Sequence, residues 1–121
     1  MKIGRVYIGS LLIFEKIGIA DTFFRRFMGL MGKKSLDDLS GLLLIPCNQI
    51  HTFFMKLNID AVFLDHDMKV ISVMPCIDPG KVLPRINRAR SVLELPEGMA
   101  AKYGIREGDI LSVVRATTKQ K

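Results

Sequence analysis

Apolar residues along this chain fall in short runs parted by turn-forming residues, without the sustained three-and-four spacing of long helices. Near the start, Val6 to Ile8 and Leu11 to Phe14 flank Gly9-Ser10, the signature of a two-residue hairpin. Ile17 to Ala20 closes the opening strands. Asp21-Thr22 then offers an N-cap, and Phe23, Phe27, Leu30 and Met31 recur at helical spacing, which predicts a short helix around 22–31. Leu42 to Ile45 is a continuous apolar run halted by Pro46 and reads as a buried strand. Thr52 to Lys56, Ile59 to Leu64, Lys69 to Met74, Ser91 to Leu95 and Ile110 to Val114 read as further strands. Pro96-Glu97-Gly98 opens a helical turn around 96–103, and Pro75, Pro79-Gly80 and Pro84 break the intervening stretch into a loop. The expected fold class is mainly β, a compact β-sandwich or barrel with one or two short helices.

Length and composition narrow this reading. At 121 residues, with no internal repeat or low-complexity linker, residues 1–121 are expected to form a single domain. A hydrophobic share of 49% excludes disorder of the whole chain. Two cysteines are too few for a disulfide-framework protein or a closed four-cysteine zinc site. No run reaches the ~18 apolar residues of a membrane helix, so no transmembrane segment is expected. Lys2 and Arg5 ahead of the first apolar run imitate a signal peptide, but Glu15-Lys16 follow at once and no small-x-small cleavage site does. A cytoplasmic location with reduced thiols is the expectation. The formal charge of +6 favours anionic partners without selecting one.

Particular residues carry a family likeness. Phe24-Arg25-Arg26-Phe27-Met28-Gly29-Leu30-Met31 and Gly41-Leu42-Leu43-Leu44 come first, followed by Ile50-His51-Thr52-Phe53-Phe54-Met55-Lys56 and Ile59-Asp60-Ala61-Val62-Phe63-Leu64-Asp65. Val92-Leu93-Glu94-Leu95-Pro96-Glu97-Gly98 and Gly108-Asp109 close the series. Taken in order, they resemble the DUF192 family over about residues 11–115. The resemblance implies a compact β-sandwich or barrel with one or two short helices, and no established activity. Asn58 stands where many relatives have proline, and Phe54 where many have tryptophan.

Most of the unusual chemistry lies between Cys47 and Asp60. A strand over 51–56 would set His51, Phe53 and Met55 on one side and Thr52, Phe54 and Lys56 on the other. Cys47, His51 and Met55 are soft-metal ligand types, yet strand spacing holds Cys47 about 13 Å from His51, so packing is the plainer role and no metal is expected. Asp60 sits in an apolar run and needs a partner, either loop amides or a cation such as Lys56 or Arg90. Glu94 is expected on the wet face of its strand. Lys81, Arg85, Arg88 and Arg90 make 81–90 a basic loop. It has no aromatic residue for base stacking, so nucleic-acid or phosphate binding there is a lesser reading and the loop is expected to be solvated. No glycine-rich phosphate loop or nucleophile elbow occurs, and no cofactor is expected. The function expected is a small-ligand or partner-binding accessory module with His51, Phe54, Lys56 and Asp60 as contacts. The alternative is a hydrolytic or other enzyme using His51 and Asp60 as acid and base.

Overall fold

The computed structural model describes residues 2–20, 39–53 and 55–116. Seven strands form one sheet: β1 (Lys2–Ile8), β2 (Leu11–Ala20), β3 (Gly41–Leu44), β4 (Ile59–Leu64), β5 (Val70–Ile77), β6 (Ser91–Pro96) and β7 (Leu111–Arg115). Their spatial order is β5-β4-β6-β3-β2-β1-β7, antiparallel except for the β2–β3 pair. The first apolar run is the β1–β2 hairpin, with Gly9 at φ 61 in the left-handed conformation that its turn requires. The sheet coils until its two edges approach. A bridge between Lys69 and Ile110 joins them just ahead of β5 and β7, and the sheet stays unclosed beyond it.

The coil gives the sheet an inner and an outer face, each with its own core. All seven strands contribute to the inner core, including Val6, Phe14, Leu43, Val62, Leu93 and Leu111. Each such side chain fully removed from water stabilises the fold by about 1.5–3 kcal/mol. The helix α1 (Met99–Lys102) caps this core through Ala100. The outer core has Leu42, Ala61, Phe63 and Val92 packed against Ile50, Leu83 and Ala89 from the connecting segments, with Ile71, Met74 and Ile77 of the edge strand β5 partly buried against it.

Several expected elements differ. The helix anticipated around 22–31 lies outside the described residues. The helical turn around 96–103 contracts to four residues, because β6 runs through Pro96, which pairs with Ile59, and Gly98 at φ 89 turns the chain first. β5 continues through Pro75 as far as Ile77. It is an edge strand, where a proline without an amide hydrogen does no harm to the ladder. The described residues among 52–56 are not in a strand, since the Met55 amide folds back onto the Thr52 carbonyl at 3.2 Å.

Candidate functional site

The 75–90 stretch is not a loose loop. Residues 80–90 pair with 47–52 through a ladder of backbone hydrogen bonds: Cys47 N–H to Arg90 O at 2.9 Å, Ile86 N–H to Asn48 O at 2.9 Å, Leu83 N–H to Ile50 O at 3.1 Å and Thr52 N–H to Lys81 O at 2.7 Å. Ile50, Leu83 and Ala89 are pinned onto the outer core, which gives this ribbon its footing. The Thr52 side chain is fully buried and ties the ribbon's end. Its Oγ1 donates to the Asp78 carbonyl at 2.7 Å and accepts the Lys81 amide at 2.8 Å. The Gln49 side-chain amide donates to the Leu83 carbonyl at 2.9 Å.

This ladder brings the aromatic residues to the basic segment. His51 forms an antiparallel bridge with Val82, and its ring lies 5.0 Å from that of Phe53 at an interplanar angle of 32°. The Phe53 N–H donates to His51 Nδ1 at 3.3 Å, which leaves Nε2 to carry the proton of the neutral ring. Both rings are exposed, Phe53 at 42%, beside an exposed Val82. Lys81, Arg85, Arg88 and Arg90 are exposed along the paired segment, and Lys56 and Leu57 are exposed just past the turn. A cleft of about 360 Å³ opens at the other end of the ribbon, lined by Pro46, Cys47, Asn48, Gln49, Ala89 and Arg90.

Asp60 is elsewhere. It is 1% exposed and points to the inner face, where its carboxylate meets three backbone donors: Cys76 N–H on Oδ1 at 3.0 Å, then Gly98 and Ala100 N–H on Oδ2 at 3.1 and 2.9 Å. Neither Lys56 nor Arg90 forms a hydrogen bond or ion pair with it. His51 belongs to the ribbon on the outer face, so the two residues named as acid and base share no hydrogen bond and serve opposite faces. Phe54 lies outside the described residues.

The Cys47 thiol donates to the Gln49 carbonyl at 3.3 Å, and His51 Nδ1 is occupied by Phe53. Among the described residues, the group of histidine and carboxylate ligands within reach of one another is Asp65, His66 and Asp67, in an exposed turn where Asp65 Oδ1 already accepts the Asp67 and Lys69 amides. Those amide bonds, that of Lys69 foremost, hold the Asp65 carboxyl below its usual range. Cys47 and Cys76 form no disulfide. A hydrogen bond from the Cys76 thiol to Glu97 pushes its pKa up, the reverse of what activates a thiol nucleophile.

Glu94 overturns the expectation that it faces water. Flanked by Leu42 and Ala61 on the neighbouring strands, it is 2% exposed and projects into the outer core. Desolvation raises its pKa to about 8, so the side chain is a neutral acid at pH 7. β6 is an interior strand buried on both faces, and the clue was Val92-Leu93 and Leu95 forming a nearly unbroken apolar run instead of a clean alternation.

The family model of DUF192, described as Uncharacterized ACR, matches residues 10–113. The chain belongs to the DUF192 family. Among curated relatives of this DUF192 protein, the UPF0127 protein of Pyrococcus horikoshii is 34% identical over 97 residues, covering 78% of this chain and 84% of that one. The UPF0127 protein of Thermococcus kodakarensis is 29% identical over 111 residues, 88% of this chain and 69% of that one. A crystal structure of a protein of unknown function from Novosphingobium aromaticivorans shares the fold seen here. Its TM-score is 0.76 at 24% identity, covering 91% of this chain and 83% of that one. That likeness establishes the fold alone.

Proposed function

We propose that this domain is a binding module that takes an anionic partner on the ribbon built from residues 47–53 and 80–90. The observation that carries the reading is the His51–Val82 bridge, which sets an exposed aromatic pair against the segment that carries the exposed Lys81, Arg85, Arg88 and Arg90. His51 and Lys56 stay among the contacts, Phe53 supplies the apolar platform, and Asp60 is a scaffold residue. A cytoplasmic setting belongs to the same reading. It is supported by Val6 and Phe14 of the first apolar run being committed to the inner core.

Titration with inorganic polyphosphate tests this. Binding that weakens several-fold in Lys81→Ala and Arg85→Ala, and fades as salt rises, is the expected result. No binding by the wild type at low salt would overturn the reading. So would equal affinity in the alanine variants.

A further inference from the structure

The basic segment lacks an aromatic residue of its own, which counted against nucleic acid as its partner. The fold supplies two from a different segment. Building on the anionic-partner reading above, we infer that the ribbon binds single-stranded nucleic acid, with bases stacking on the His51–Phe53 pair and phosphates following Lys81, Arg85, Arg88 and Arg90.

Three features favour a strand of nucleic acid over other anions. The cations are spread along one ten-residue segment, and the cleft at its end holds Arg90 as its cationic side chain. A compact phosphate needs cations that converge on it, whereas a linear polyanion needs them in a row. The two exposed rings, 5.0 Å apart and tilted by 32°, each offer an aromatic face to a base, and stacking accepts any base because each has a π-face. An acidic peptide would have no comparable use for two exposed rings held together by a hydrogen bond from backbone to ring. Within residues 78–90 the acidic side chain is Asp78, at the far end from Arg90, so little negative charge opposes a phosphate backbone.

Duplex recognition has less support. The helix among the described residues has four residues and caps the inner core, on the face opposite the ribbon. A duplex also keeps its bases stacked on one another and leaves the ring pair unused.

The test is fluorescence anisotropy of the full chain with a labelled ten-nucleotide oligo-U, the same length of oligo-dT, and a duplex of matched length. Both single strands should bind, and the duplex should bind at least several-fold more weakly. Log affinity should fall with log salt at about 0.7 per phosphate neutralised, hence a slope of roughly −2 to −3 for three or four contacts. Phe53→Ala should reduce affinity for the single strands roughly tenfold with the salt slope unchanged. Arg85→Ala and Arg88→Ala should each flatten the slope by about 0.7. All three side chains are exposed, and unchanged urea melts of the variants verify the fold. Polyphosphate serves as the control. If it binds while the oligonucleotides do not, or if Phe53→Ala leaves oligonucleotide affinity intact, nucleic acid is excluded and the anion-binding surface stands. If neither polyphosphate nor oligonucleotide binds, both readings fall. A duplex bound as tightly as the single strands also overturns the inference.

Discussion

Asp60 Oδ2 accepts the backbone amide of Ala100 at 2.9 Å, and the same carboxylate holds the amides of Gly98 and Cys76. One buried side chain in β4 thereby fixes the start of α1 and the irregular end of β5, where the register shifts and Cys76 takes φ 56.

Replacing Asp60 with alanine leaves three backbone donors without their acceptor, one buried and two partly buried, and should destabilise the domain by about 2–3 kcal/mol. Asp60→Asn keeps one carbonyl oxygen for Gly98 and Ala100 but turns its amide hydrogens toward Cys76, so an intermediate loss is expected. Urea melts of both variants measure this, and wild-type midpoints in both would remove Asp60 from its structural role.

Glu94 makes stability depend on pH with a definite sign. In the unfolded chain its carboxyl ionises near 4.5, whereas in the folded chain it keeps its proton up to about 8. Between those values the unfolded state binds fewer protons than the native state. Stability therefore falls as pH rises, by up to ~1.4 kcal/mol per pH unit, and levels off above the folded pKa. Glu94→Gln should lack this component and exceed the wild type in stability at the alkaline end. Paired denaturant melts across the range check it, and parallel curves for the two proteins would count against the buried acid.

Thr52→Val keeps the shape but strands the Asp78 carbonyl and the Lys81 amide, both served by Oγ1. A loss of roughly 1–3 kcal/mol is expected, with Thr52→Ser close to wild type. Because this hydroxyl fastens the end of the ribbon, hydrogen exchange at Lys81 should quicken in the valine variant and not in the serine one.

Gly41→Ala tests the closeness of β3 and β6. A methyl group there would come within 2.5 Å of the Glu94 carbonyl oxygen and 2.7 Å of Leu95 Cδ2. The first contact is backbone and cannot swing aside, so the strands must part, at a cost of about 2–3 kcal/mol. A thermal midpoint within a degree or two of wild type would show that the pair yields easily.

The strands were legible wherever apolar runs were bounded by turn chemistry. Ile59 to Leu64 matches its expected limits, and Gly9-Ser10 forms the turn its residues announce. Misreadings arose where tertiary contacts outweighed local pattern. Thr52 to Lys56 has strand-forming residues, but Thr52 spends its hydrogen bonds on Lys81, Asp78 and Gly80, and the chain turns away. Glu94 looked wet because alternation assumes one solvated face, which a strand in the middle of a covered sheet does not have. As for the candidate site, the importance of His51 and the basic segment was visible separately. Their adjacency was not, since the pairing of residues 47–52 with 80–90 rests on backbone bonds between distant segments that carry no signal in side-chain pattern.

The strand order also sets a tempo for assembly. β1–β2 and β4–β5 are hairpins between neighbours in sequence, able to form on the microsecond scale of such units. The middle of the sheet cannot exist until β6 has slotted between β3 and β4, pairing Leu42 with Glu94 and Ala61 with the same residue. Entropy must be surrendered to bring those segments together before any contact repays it, which slows sheets dominated by non-local pairs. Refolding in milliseconds to seconds is the expected regime, with the two hairpins waiting on a single central strand.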